Sequence, residues 1–145
     1  MTTKYHFSFT DHWYSAPLAY WVHVSVPGEP GAYKPAAPVR IPHKGYVVLH
    51  IEFEKHELVF SSPAQLEHFI AILAAKPLPS SRYLSARRGE HVGPNAHWLS
   101  RLPARLKSPR KREKLVQAMR DVWCRAICAE DIQQFAWREQ IELRD

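Results

Sequence analysis

Cysteine is nearly absent: Cys124 and Cys128 are the only two in 145 residues. Four apart in a segment of helical pattern, they make no disulfide framework, which points to a reducing compartment and to burial as their ordinary role. A nucleophilic thiol would need an adjacent base, and no histidine is near them in sequence. Glycine is also scarce, at five residues, and no glycine-rich phosphate loop, dinucleotide fingerprint, nucleophile elbow or GxxG loop occurs. Zinc-finger spacing and the RRM aromatic motif are missing too. No stretch approaches the ~18 apolar residues of a membrane span, and Tyr5, His6 and Phe7 stand where a leader would be apolar. These absences predict a cytoplasmic protein without a membrane partner, a metal or a cofactor.

The absence that carries most information is of acid between residues 82 and 125. There Arg82, Arg87, Arg88, Arg101, Arg105, Lys107, Arg110, Lys111, Arg112, Lys114, Arg120 and Arg125 face only Glu90, Glu113 and Asp121, a local net of +9 in a chain whose whole net charge is +6. Residues 1 to 60 are balanced, and the last twenty are acidic at −3. Such a field favours a polyanion or an acidic partner.

The remainder has the composition of one folded domain, with 46% hydrophobic and 12% aromatic residues. Tyr20 to Val26 alternates, with Trp21, His23 and Ser25 on one side, and predicts a strand. Ahead of it, Thr10 to Tyr14 reads as an N-terminal strand or an aromatic flap, with a break at Pro17. Residues 27–45 contain Pro27, Pro30, Pro35, Pro38 and Pro42, too many missing donors for an interior ladder. This is a long surface loop, either wrapped onto the domain by Tyr33, Val39 and Ile41 or a mobile binding loop. Tyr46 to Glu54 is the clearest strand, with Val47, Leu49, Ile51 and Phe53 inward. Lys55 and His56 turn it back into Glu57 to Phe60.

Ser62 and Pro63 suit the cap and first position of a helix that Lys76 and Pro77 stop, with Leu66, Phe69, Ile70 and Leu73 as its buried stripe. Residues 77–94 have the composition of a loop. A short helix is expected from Asn95 to Ser100, with Trp98, Leu99 and Leu102 inward. Ser108 and Pro109 then open a long helix to Cys128 on the stripe Leu115, Met119, Val122, Trp123 and Ala126. Another helix is expected from Cys128 through Ala136, with Trp137, Ile141 and Leu143 completing the packing or a last strand. The fold class is therefore α+β: one domain over 1–145, with a small, mostly antiparallel sheet of three or four strands and one packed helix in residues 1–81. Residues 82–145 form a basic helical portion with an acidic end.

Four cations in the first turns of a helix oppose its dipole, so something outside the helix accounts for them. The expected nucleic-acid-binding residues are Arg87, Arg88, Arg101, Arg105, Lys107, Ser108, Arg110, Lys111, Arg112 and Lys114, with Ser108 and the amides of 109–112 holding one phosphate. A solvated basic face, or one folded back on the acidic tail, is the plain alternative. Helix-turn-helix docking fits poorly, because the prolines between 102 and 109 replace its tight turn.

His50, Glu52 and Glu54 share a strand face with His56 across the turn, yet any solvated sheet face carries such pairs, and metal ligation is not expected. His91 and His97 beside Arg87 give a phosphodiesterase or nuclease reading. Trp13 and Tyr14 either seal the sheet or stack on a partner. The leading expectation is a non-enzymatic accessory or regulatory protein contacting the phosphate backbone of a nucleic acid or a larger nucleoprotein assembly. An adaptor or inhibitor docking an acidic protein is the alternative, and either is compatible with homo-oligomerisation.

Overall fold

The computed structural model of the chain describes residues 3–80, 83–84 and 98–128. In chain order the elements are β1 (Lys4–Thr10), a 3-10 turn (Trp13–Ser15), α1 (Ala19–Val22), β2 (Val24–Ser25), β3 (Tyr33–Lys34), β4 (Tyr46–Phe53), β5 (His56–Phe60), α2 (Pro63–Ala74), α3 (Trp98–Arg101), α4 (Ala104–Lys107) and α5 (Pro109–Cys128). A three-stranded antiparallel sheet runs in the order β1-β4-β5, and β2 and β3 form a separate two-stranded ribbon. The class is α+β, as the alternation of strand and helix patterns required.

Period-two alternation places Val47, Leu49 and Ile51 on the inner face of β4, where all three are buried. The hairpin closes through Glu54 and Lys55, both left-handed at φ 45° and 70°. That two-residue turn matches the twist of its strands. It lies one residue earlier than the spacing suggested. Helix α2 starts as expected: Ser62 Oγ accepts from the Gln65 amide at 3.4 Å, and Pro63 takes the first position. Leu66, Phe69 and Leu73 from α2, Leu106 from α4, and Leu115, Met119 and Val122 from α5 join Leu49, Ile51 and Phe60 in one core. Both long helices thus lie on one face of the sheet.

The expected strand over Tyr20–Val26 is not formed. Ala19 to Val22 make a helical turn, with the amides of Val22 and His23 donating to Leu18 and Ala19 carbonyls at 3.0 Å. Only Val24 and Ser25 are extended, opposite Lys34 and Tyr33. β1 instead occupies the sheet position beside β4, its Tyr5, Phe7 and Phe9 packing onto the core while Lys4 and His6 face solvent. Alternation in a short apolar run does not by itself separate strand from turn, and Pro17 biases the residues after it toward a turn.

The proline loop wraps. Tyr33 stands edge-on to Trp13 at 5.3 Å, and Ile41 packs against the core, whereas Val39 is 56% exposed. Buried His23 latches this segment to α2, with Nδ1 bonded to the Pro35 carbonyl at 3.0 Å and Nε2 to the Ser62 hydroxyl at 2.8 Å. Trp13 is half-buried against His23 and Tyr33, while Tyr14 is 64% exposed. Among the described residues, no helix is long and apolar enough to cross a membrane.

Candidate polyanion-binding surface

The buried stripe of α5 fixes where its charges point. With Leu115, Met119 and Val122 turned inward, Arg110, Glu113, Lys114, Gln117, Arg120 and Asp121 are left on the solvent side, while Lys111 and Arg112 flank the stripe and are half-buried. Cys124 is exposed on that side, not buried as the sequence suggested. The described cations therefore fall into distinct groups.

One group is neutralised within the chain. The β4–β5 turn brings the Glu54 carboxylate onto the Lys111 ammonium, with Arg105 and Lys114 adding to the positive potential there. The Lys111 hydrogen bond and these charges hold the Glu54 carboxyl below its usual range. Arg125 is structural: its guanidinium bonds the Thr3 carbonyl, pairs with Asp121 at 2.9 Å and lies over the Tyr5 ring. Lys107 donates to the Leu99 carbonyl at 3.3 Å, and Arg101 borders an apolar cleft beside His56, Leu58 and Trp98.

The other group is open. Between the end of α2 and the first turns of α5 lies a cleft of about 630 Å³. Its walls carry Lys76, Arg110, Arg112 and Arg120 over a floor that includes Leu73 and Val116, and Glu113 is the acid among them. None of these four cations has a carboxylate partner among the described residues. Lys76 and Arg120 were absent from the expected site. Arg120 was legible only as part of the charge run, and Lys76 reaches the cleft because α2 ends there.

Part of the donor set expected at the Ser108 phosphate seat is engaged elsewhere or missing. Its hydroxyl donates to the Arg105 carbonyl at 3.1 Å, Pro109 has no amide hydrogen, and the Arg112 amide is spent on the Ser108 carbonyl at 2.8 Å. Nor is α5 presented as a recognition helix. Glu113 and Asp121 lie on its outer side, where they would meet phosphates on entering a groove, and α4 occupies the connection from α3.

Arg87, Arg88, His91 and His97, together with the expected helix after Cys128, its acidic end and Trp137, lie outside the described residues. Among the described residues no group of three histidine, cysteine or carboxylate side chains could hold a metal. The His50 and Glu52 pairing noted in the sequence gives way to a different one: Glu57, diagonal across the strand pair, bonds His50 Nδ1. Compared with protein-family models, curated proteins and solved structures, the chain finds no match.

Proposed function

We propose that the chain is a cytoplasmic nucleic-acid-binding accessory or regulatory protein that grips the phosphate backbone in the α2–α5 cleft. The observation that carries this reading is the convergence of Lys76, Arg110, Arg112 and Arg120 on one cleft containing Glu113 as their acidic neighbour. Arginine forks and a lysine point charge suit successive phosphates, and they read charge rather than base sequence. The task needs no chemistry at the cleft. An acidic protein would satisfy the same cations, but a charged strand releases condensed counterions and gives a linear salt dependence.

Fluorescence anisotropy with a labelled duplex and a labelled single strand tests it. Four phosphate contacts give a slope of log affinity against log salt of about −3.6 on duplex DNA, or a loss of roughly two orders of magnitude between about 50 and 200 mM salt. Replacing Arg110 and Arg112 together with alanine reduces that slope by about 2, with an unchanged circular dichroism spectrum. A slope that the double variant leaves unmoved removes this cleft from the binding site.

A further inference from the structure

On the face of the sheet turned away from the long helices, three side chains from three strands form a chain of hydrogen bonds. Ser8 Oγ of β1 lies 2.6 Å from His50 Nε2 of β4, and His50 Nδ1 bonds the Glu57 carboxylate of β5. With the Glu57 carboxylate accepting from Nδ1–H of a neutral ring, the Nε2 lone pair faces the serine hydroxyl. The His6 ring stacks on His50 with centroids 4.5 Å apart and planes within 2°, fixing the plane of the base. This is the order of groups that activates a serine: nucleophile, base, and a carboxylate that holds the base in its working tautomer.

The relay opens onto a cleft of about 520 Å³ that Ser8 and His50 themselves line. Trp13, Pro17, Val48 and Val59 make it largely apolar, which suits a short acyl chain. Thr10 and His12 supply donors at its rim. Thr10 Oγ1 accepts from the His12 amide at 3.3 Å and keeps its own hydrogen, and the Tyr14 hydroxyl is 3.0 Å from His12 Nδ1. With that hydroxyl donating, His12 carries its proton on Nε2.

We propose that Ser8, His50 and Glu57 form an acyl-transfer site for carboxylic esters of short apolar acids, separate from the polyanion cleft. Ser8 Oγ adds to the ester carbonyl as its proton passes to His50 Nε2. The tetrahedral species collapses with cleavage of the ester C–O bond, and His50 gives the proton to the departing alkoxide, releasing the alcohol. Water then adds to the acyl-Ser8 carbonyl, losing a proton to His50, which returns it to Ser8 Oγ as the carboxylic acid leaves. Ester and water become acid and alcohol, and no other reactant enters.

A fluorophosphonate probe tests the nucleophile directly, because Ser8 Oγ forms the bond to phosphorus as fluoride leaves. The full chain is incubated with the probe and the adduct located by peptide mass spectrometry, beside hydrolysis of 4-nitrophenyl butyrate. The expected result is an adduct on Ser8, a labelling rate lowered at least about a hundredfold in His50→Gln, and slower labelling in Glu57→Gln, whose amide disturbs the tautomer. Ester hydrolysis is lost in Ser8→Ala. Labelling of the unaltered chain does not depend on how any variant folds. An unmodified Ser8 in that chain, or equal labelling rates with and without His50, overturns the proposal.

Discussion

Acid should destabilise this protein through a histidine that takes no part in either proposed site. His68 lies on α2 with its Nε2 accepting from the Trp98 indole N–H at 3.2 Å, and Trp98 in turn stacks on Phe69 at 5.0 Å. The bond requires an unprotonated Nε2, and burial lowers the His68 pKa from 6.5 to about 4. In the unfolded chain the ring titrates near 6.5, so below that value the unfolded state binds a proton the native state refuses. A depressed histidine pKa thus leaves full stability above 6.5 and erodes it as pH falls, by about 1.4 kcal/mol per pH unit and by about 3 kcal/mol in all by pH 4. That is a large part of the roughly 5–15 kcal/mol typical of a domain.

Buried His23, also held below its ordinary pKa by desolvation against a smaller opposing effect of the Pro35 carbonyl, adds in the same direction. Glu54 contributes only below its ordinary 4.5. Urea unfolding between pH 5 and 6 therefore isolates the histidines. In His68→Gln, where the amide oxygen takes over as acceptor for Trp98, the slope in that window should fall by about 1.2 kcal/mol per pH unit. An equal slope in the variant and the parent chain refutes the reasoning, as does an NMR titration in which His68 protonates near 6.5.

Three other substitutions probe the structure. Gly45 holds φ 102°, and a Cβ there would lie 2.5 Å from the Thr10 carbonyl oxygen, so Gly45→Ala should cost about 3 kcal/mol by urea denaturation as β1 and β4 separate at that end. Ser62→Ala removes both the cap of α2 and the partner of buried His23, and a loss of roughly 2–3 kcal/mol is expected in the same assay. Glu54→Gln frees Lys111 and deletes the acid that offsets Arg105 and Lys114. Anisotropy should then show severalfold tighter nucleic-acid binding with a salt slope steeper by up to about 1.

The elements that could be read directly from the chain are those whose signals are local. Ser62 and Pro63 cap α2, the stripe Leu115, Met119 and Val122 seats α5, and the alternation of Val47, Leu49 and Ile51 sets the inward face of β4. Tyr20 to Val26 misled because bulky residues at period two also fit a turn and two extended residues after it, and tertiary packing chose that outcome. The hairpin turn was displaced by one residue because neither Glu54 nor Lys55 is a usual left-handed residue. That displacement matters, since it is the turn that carries Glu54 to Lys111.

Sites show the same division more sharply. A run of cations is visible as composition, but composition carries no direction. The helix phase sends Arg110 and Arg120 outward and Lys111 toward Glu54, and the end of α2 brings in Lys76 from the other side. Of the cations described in that field, Arg110, Arg112 and Arg120 join Lys76 in an open cleft, while Lys111 and Arg125 are closed in ion pairs with Glu54 and Asp121. The Ser8, His50 and Glu57 relay had no sequence signature because its serine lies 42 residues from its histidine and no elbow marks it. Only strand register creates it: Ser8 stands opposite Val48, and His50 opposite Val59, which leaves Glu57 diagonal to the imidazole. A one-residue slip of β1 would send Ser8 to the other face of the sheet and dismantle the relay, while the cleft between α2 and α5 would keep its cations. Such a register change in β1 is expected to abolish the proposed ester hydrolysis and spare the proposed salt-dependent binding, as Ser8→Ala does, and the two are told apart by whether β1 keeps its pairing with β4.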